Sequence, residues 1–137
     1  MSKQVDEQQV NEAQKEDWER LRELELQLQR GKPLELADTV RELLKRTALQ
    51  VAFTLDDAEK SLRSPEEAAT LVMRIRRRIR EGSERVGQAM LDAATLSVEG
   101  NTRRARRALE AALAEEVVPY YRGLLEALLQ AVGTLRR

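Results

Sequence analysis

The sequence predicts an all-α fold, an antiparallel helical bundle of four main helices plus one short helix, with a long C-terminal helical hairpin. Three observations predict it. Apolar residues recur at three- and four-residue spacing over most of the chain. Leu, Ala, Arg, Glu and Gln dominate, and these side chains lose little rotamer freedom in a helix. Gly, Pro and short polar residues fall at the ends of the periodic runs, where helices start and stop.

Residues 1–16 are polar, with Val5 and Val10 isolated, and are expected to be a leader, frayed or disordered. Residues 17–137 are expected to form a single helical bundle domain, since one hydrophobic core typically organises about 100 to 150 residues. Asp17 is read as the N-cap of the first main helix, which carries Trp18, Leu21, Leu24 and Leu28 on one stripe and stops at Gly31 and Pro33. Trp18 is expected to anchor that helix in the core.

The second helix spans about residues 37–51, with Leu36, Val40, Leu43, Leu44, Ala48 and Val51 on one stripe and Asp38 in its first turn. Thr54 and Asp57 read as the cap of a short helix through Leu62. Ser64, Pro65 and Glu67 then supply a cap, a proline at the first helical position and an acid three residues after the cap. From there the seam Val72, Ile75, Ile79, Gly82, Val86, Ala89, Ala93 and Leu96 predicts one long helix over residues 65–98, with a bend or a close helix approach at Gly82. Gly100 ends it, and Asn101 and Thr102 are cap candidates for the next, which predicts a tight reversal. The last helix carries Ala105, Leu109, Leu113, Val117, Tyr121, Leu124, Leu128, Ala131 and Leu135, with a kink where Pro119 crowds the carbonyl of Glu115.

Composition removes most chemistries. The chain has no Cys and no His, so disulfides, thiol nucleophiles, the commonest metal ligand and the side chain that titrates near neutrality are all absent. Catalytic, cofactor-binding and metal-ligating sets are therefore expected to be absent, and the chain is expected not to be an enzyme. No apolar run reaches signal-peptide or membrane-span length, so a cytoplasmic chain with no membrane association is expected. The net charge is zero but segregated, with five bases against eight acids in residues 1–30 and ten bases against five acids in residues 71–110.

The candidate partner-binding residues are Arg77, Arg80, Arg103, Arg107 and Tyr120. The arginines belong to two basic runs, Arg74, Arg76, Arg77, Arg78 and Arg80, then Arg103, Arg104, Arg106 and Arg107. Their plainest reading is solvated or internally bridged charge. An acidic protein partner comes next, and nucleic acid is disfavoured because neither net positive charge nor stacking aromatics accompany the runs. The two runs are expected to lie about 30 Å apart along the hairpin, as two patches. Tyr120 and Tyr121 are neighbours on a helix and cannot both face the core, so Tyr121 is expected inside and Tyr120 at the rim. Asp56 and Asp57 read as a helix start. Glu115 and Glu116 read as ordinary surface charge, or else as acids that receive an arginine or a cation at the kink.

Three phrases, residues 34–52 (LELADTVRELLKRTALQVA), 69–83 (ATLVMRIRRRIREGS) and 115–124 (EEVVPYYRGL), resemble the DUSAM domain, and the resemblance extends over about residues 17–130. This is a bacterial family found as many paralogues in myxobacterial genomes, with no established function. The resemblance implies a helical, cytosolic domain and a bacterial source, and it brings no functional residues with it. The function expected is a non-enzymatic protein–protein interaction module: an adaptor, an inhibitor or immunity-type binder, or a regulatory subunit. The alternative is a nucleic-acid-associated factor using the arginine patches of the hairpin. A homodimer is compatible with the long seam.

Overall fold

In the computed structural model the backbone is described for residues 2–134 and the side chains for residues 12–133, and every regular element among them is a helix. The order is α1 (Ser2–Gln29), α2 (Asp38–Gln50), α3 (Leu55–Ser61), α4 (Pro65–Val98), α5 (Thr102–Glu115) and α6 (Pro119–Thr134). The chain divides into two compact units, Met1–Arg77 and Arg78–Arg137.

In the first unit α1 begins at Ser2, so Asp17 lies inside a helix instead of capping one. Residues 2–16 contain no Gly or Pro and are rich in Gln and Glu, which favour helix from the start. The side chains of Val5 and Val10 fall outside the described residues. The helix stops at Gly31, whose φ of 81° suits a residue without Cβ. There Lys32 N–H donates to the Gln27 carbonyl at 3.0 Å and Gly31 N–H to Leu28 at 3.0 Å, so two carbonyls of the last turn are satisfied.

The C-terminus of α2 closes with the same pair of hydrogen bonds, Phe53 N–H to Ala48 at 2.9 Å and Ala52 N–H to Leu49 at 3.2 Å. Ala52 occupies the left-handed position with φ 69°, where glycine is the usual residue. A full capping box formed by Thr54 and Asp57 starts α3, and those hydrogen bonds with Thr54 hold the Asp57 carboxyl below its ordinary range. For α4 the Ser64 hydroxyl accepts from Glu67 N–H at 3.1 Å. The core of this unit gathers Leu21, Leu43, Leu44, Ala48, Val51 and Phe53 with Ala58, Leu71, Val72 and Ile75.

Polar braces tie these helices together. Arg46 donates twice to Asp17, at 3.0 Å to each oxygen, and Gln50 donates to the same carboxylate at 3.2 Å. Trp18 is half-buried and not part of the core; its Nε1–H donates to Gln50 at 2.8 Å, so the indole ties α1 to α2 through a hydrogen bond. Burial works against the Asp17 charge, yet the hydrogen bonds from Arg46 and Gln50 outweigh it and bring the carboxyl below its ordinary range. Buried Glu25 accepts from Arg76 at 3.2 Å, and Arg74 lies 4.8 Å over the Phe53 ring.

In the second unit the rest of α4 forms an antiparallel hairpin with α5. Gly100, at φ 79°, closes α4 with Asn101 N–H on the Leu96 carbonyl at 2.8 Å, and the Asn101 side chain then caps Arg104 N–H at 3.3 Å. Ile79, Gly82, Val86, Ala89 and Ala93 of α4 are buried, as the seam predicts.

The kink expected at Pro119 is a complete break. The helix ends at Glu115, the Glu116 backbone is extended with φ −75° and ψ 130°, and Pro119 starts α6 as a first helical residue. Extended residues do not advance by 100° each, so the apolar register shifts by one at Val118, Leu125 and Val132, while Tyr121 keeps its expected place. Val118, Tyr121, Leu125 and Val132 are buried, while Val117, Leu124 and Ala131, expected in the seam, are exposed. Leu135 lies outside the described residues.

Candidate functional site

The break between α5 and α6 is held by one carboxylate. Glu116 is 2% exposed, whereas Glu115 beside it has a side chain 75% exposed. Arg85 donates to Glu116 Oε1 at 2.6 Å and lies 3.6 Å from Glu115, while Val118 N–H donates to Glu116 Oε2 at 2.9 Å. Arg122 closes the other side, donating to the Leu113 carbonyl at 2.7 Å and the Glu116 carbonyl at 2.8 Å. The reading of Glu116 as surface charge is therefore overturned, and the reading of this pair as acids that receive an arginine holds. Both Glu116 oxygens are engaged in structure, so this carboxylate is a latch.

Gly82 completes the latch. A Cβ there would run into the Tyr121 ring and come within 3.1 Å of Glu116 Oε2, so only glycine lets the ring lie on α4. Tyr121 is buried and Tyr120 is at the rim, their rings 5.3 Å apart and edge-on.

That arrangement orients both outer helices. Arg122 reaches α5, so Tyr120, about 100° round α6 on the other side of Tyr121, is turned away from α5. With Tyr120 come Leu124, Ala127 and Ala131, at spacings of four, three and four, all exposed. On α4, Arg85 faces α5, whereas Gly87, Leu91, Ala94 and Val98 occupy the flank turned from it, again at four, three and four. Leu91 is 63% and Val98 89% exposed, and Met90 borders them. In a chain so rich in charge, two strips of uncovered apolar side chains on one unit, one on α4 and one on α6, are the least ordinary part of the surface.

Of the residues singled out by sequence, Arg77, Arg80, Arg103, Arg107 and Tyr120 are all exposed. Arg103 and Arg107 share one face of α5, a turn apart. In the antiparallel hairpin they lie opposite residues of α4 some 13 to 17 positions beyond Arg80, roughly 20 to 25 Å along the axis, so they do not join it in one patch. Arg77 belongs to the first unit. Tyr120 stands at the head of the α6 strip. The α4 strip went unread in the sequence because Val72 to Leu96 absorbed the helical period, although Gly87, Leu91, Ala94 and Val98 repeat it in parallel. Among the described residues no three of His, Cys, Asp and Glu gather into a metal-binding group, and no helix is long and apolar enough to cross a membrane.

A family model described as a protein of unknown function (DUF2379) matches residues 16–132. No curated protein matches the chain, and no solved structure does.

Proposed function

The chain belongs to the DUF2379 family, known as DUSAM, and from that premise we propose that it is a non-enzymatic protein-interaction module that docks a helix of a partner protein on its second unit. One observation carries this reading: the paired apolar strips of α4 and α6, with Leu91 and Val98 left to solvent at 63% and 89% exposure. A partner helix with its own apolar residues at i, i+3, i+4 and i+7 would interleave with two strips at that spacing. Tyr120, an aromatic with an apolar body and a polar tip at the head of the α6 strip, is the residue type that concentrates energy at interfaces.

The lack of cysteine suits a reducing compartment, so the partner is sought in cytosolic extract. Immobilised wild-type chain is compared there with Leu91→Glu and Tyr120→Glu variants of unchanged helicity. The expected outcome is a protein enriched on the wild type and reduced at least about tenfold on either variant, the loss typical of removing an interface hot spot. Identical capture by all three chains would refute the docking surface.

A further inference from the structure

On the flank of the hairpin away from the apolar strips, α4 and α5 enclose an open groove of about 430 Å³ whose floor is Ala108, Ala111 and Ala112. Its sides carry Glu81, Glu84, Asp92 and Glu115 against the single cation Arg85, itself engaged by Glu115 and Glu116. Along α5 the strip over this groove reads Arg104, Ala108, Ala111, Glu115, at spacings of four, three and four. It is positive at its start, small in the middle and negative at its end.

The charges stand against the helix's own field. No acid lies in the first turn of α5 and no base in its last turn. Arg103 and Arg104 instead sit at the N-terminus, where the dipole is positive, and Glu115 at the C-terminus, where it is negative. Among the described residues Arg103, Arg104 and Arg107 make no ion pair within the chain. Each misplacement costs a little in the isolated helix, and an antiparallel neighbour with the same pattern reverses the sign of every one. A parallel neighbour would set like charge on like.

We propose that this face of α5 is a two-fold interface between two copies of the chain, the α5 helices running antiparallel over Ala108, Ala111 and Ala112 with Arg104 of each copy against Glu115 of the other. The interface is isologous, so one charge pair is made twice. The alanine floor lets the helix axes approach to the short end of the usual range, about 8 Å. This surface is distinct from the apolar strips and independent of what docks there.

The test is the association state of the full chain by sedimentation equilibrium, with helicity followed by circular dichroism. The wild type is expected to dimerise, and R104E and E115R each to weaken the dimer at least about tenfold, since each sets two like-charged pairs at the interface. The double variant R104E/E115R restores opposite charge at both pairs and is expected to return to within about threefold of the wild type. Ala111→Trp, exposed in the monomer, is expected to abolish the dimer without loss of helicity, which keeps the question open to decision if E115R disturbs the Arg85 contact. Leu91→Glu, on the opposite flank of α4, is expected to leave it intact. A monomeric wild type, a dimer indifferent to R104E and A111W, a folded double variant that stays monomeric, or a dimer lost in L91E would each overturn the proposal.

Discussion

The two units solve the same problem, holding amphipathic helices together, by different physical means. In Met1–Arg77 the helices are braced by charge across their contacts, with Asp17 to Arg46 and Gln50, and Glu25 to Arg76. In Arg78–Arg137 a single buried carboxylate, Glu116, locks a contact of volume, a tyrosine ring laid on a glycine. The first arrangement depends on protonation at Asp17. The second is indifferent to moderate acid at its steric contact and intolerant of one added carbon.

The largest effect is expected at the lock. Glu116→Ala removes the acceptor of Arg85 and of Val118 N–H and leaves both inside the fold, and the loss should be about 3 kcal/mol in chemical denaturation. A variant as stable as the parent would mean that water replaces the carboxylate without cost, and the contrast between the units would fail. Next comes Gly82→Ala, expected to cost about 2 kcal/mol because the methyl group displaces the Tyr121 ring. Gly87→Ala, five residues on in the same helix with open space before its Cβ, should stabilise by about 1 kcal/mol through helix propensity alone. Opposite signs at the two glycines sharpen the comparison, and equal signs break it.

The effect specific to the first unit concerns Asp17. Its carboxyl ionises below the ordinary range in the folded chain, so the unfolded chain binds the proton more readily. The stabilisation is therefore fully present above about pH 4, the usual unfolded value, and is lost as pH falls through the lower folded value. Asp17→Asn should cost about 1 to 2 kcal/mol at pH 7, with Arg46 half exposed and able to return to water. Thermal melts of parent and variant should converge as pH falls below 4, and a constant gap would show that the pair acts through packing instead of charge.

Local chemistry was legible wherever it is carried by neighbours in sequence. The caps at Thr54, Ser64 and Asn101 and the stops at Gly31 and Gly100 stand where the residues place them. The α4 seam from Val72 to Ala93 is buried as its period requires, and Gly82 is the point of close approach. Asp17 misled because a capping residue and an ion-pairing residue look alike until the partner, 29 positions away, is known. The one-residue shift after Glu115 was hidden for a related reason, since a kink preserves helical phase and a three-residue extended joint does not. Ala52 occupies a position that glycine usually marks, so nothing in its identity announced the turn. In the candidate site, the exposed Tyr120 and buried Tyr121 followed from helix geometry, while the α4 strip required knowing that the opposite face was already filled.

The joint at residues 116–118 acts as a dial. Because it sets the angular phase of α6, adding or removing one residue there would turn that helix and bring Glu126 and Gln130 to a different bearing. A lineage could thus change which face it displays through a single insertion, without altering any letter of the helix being displayed.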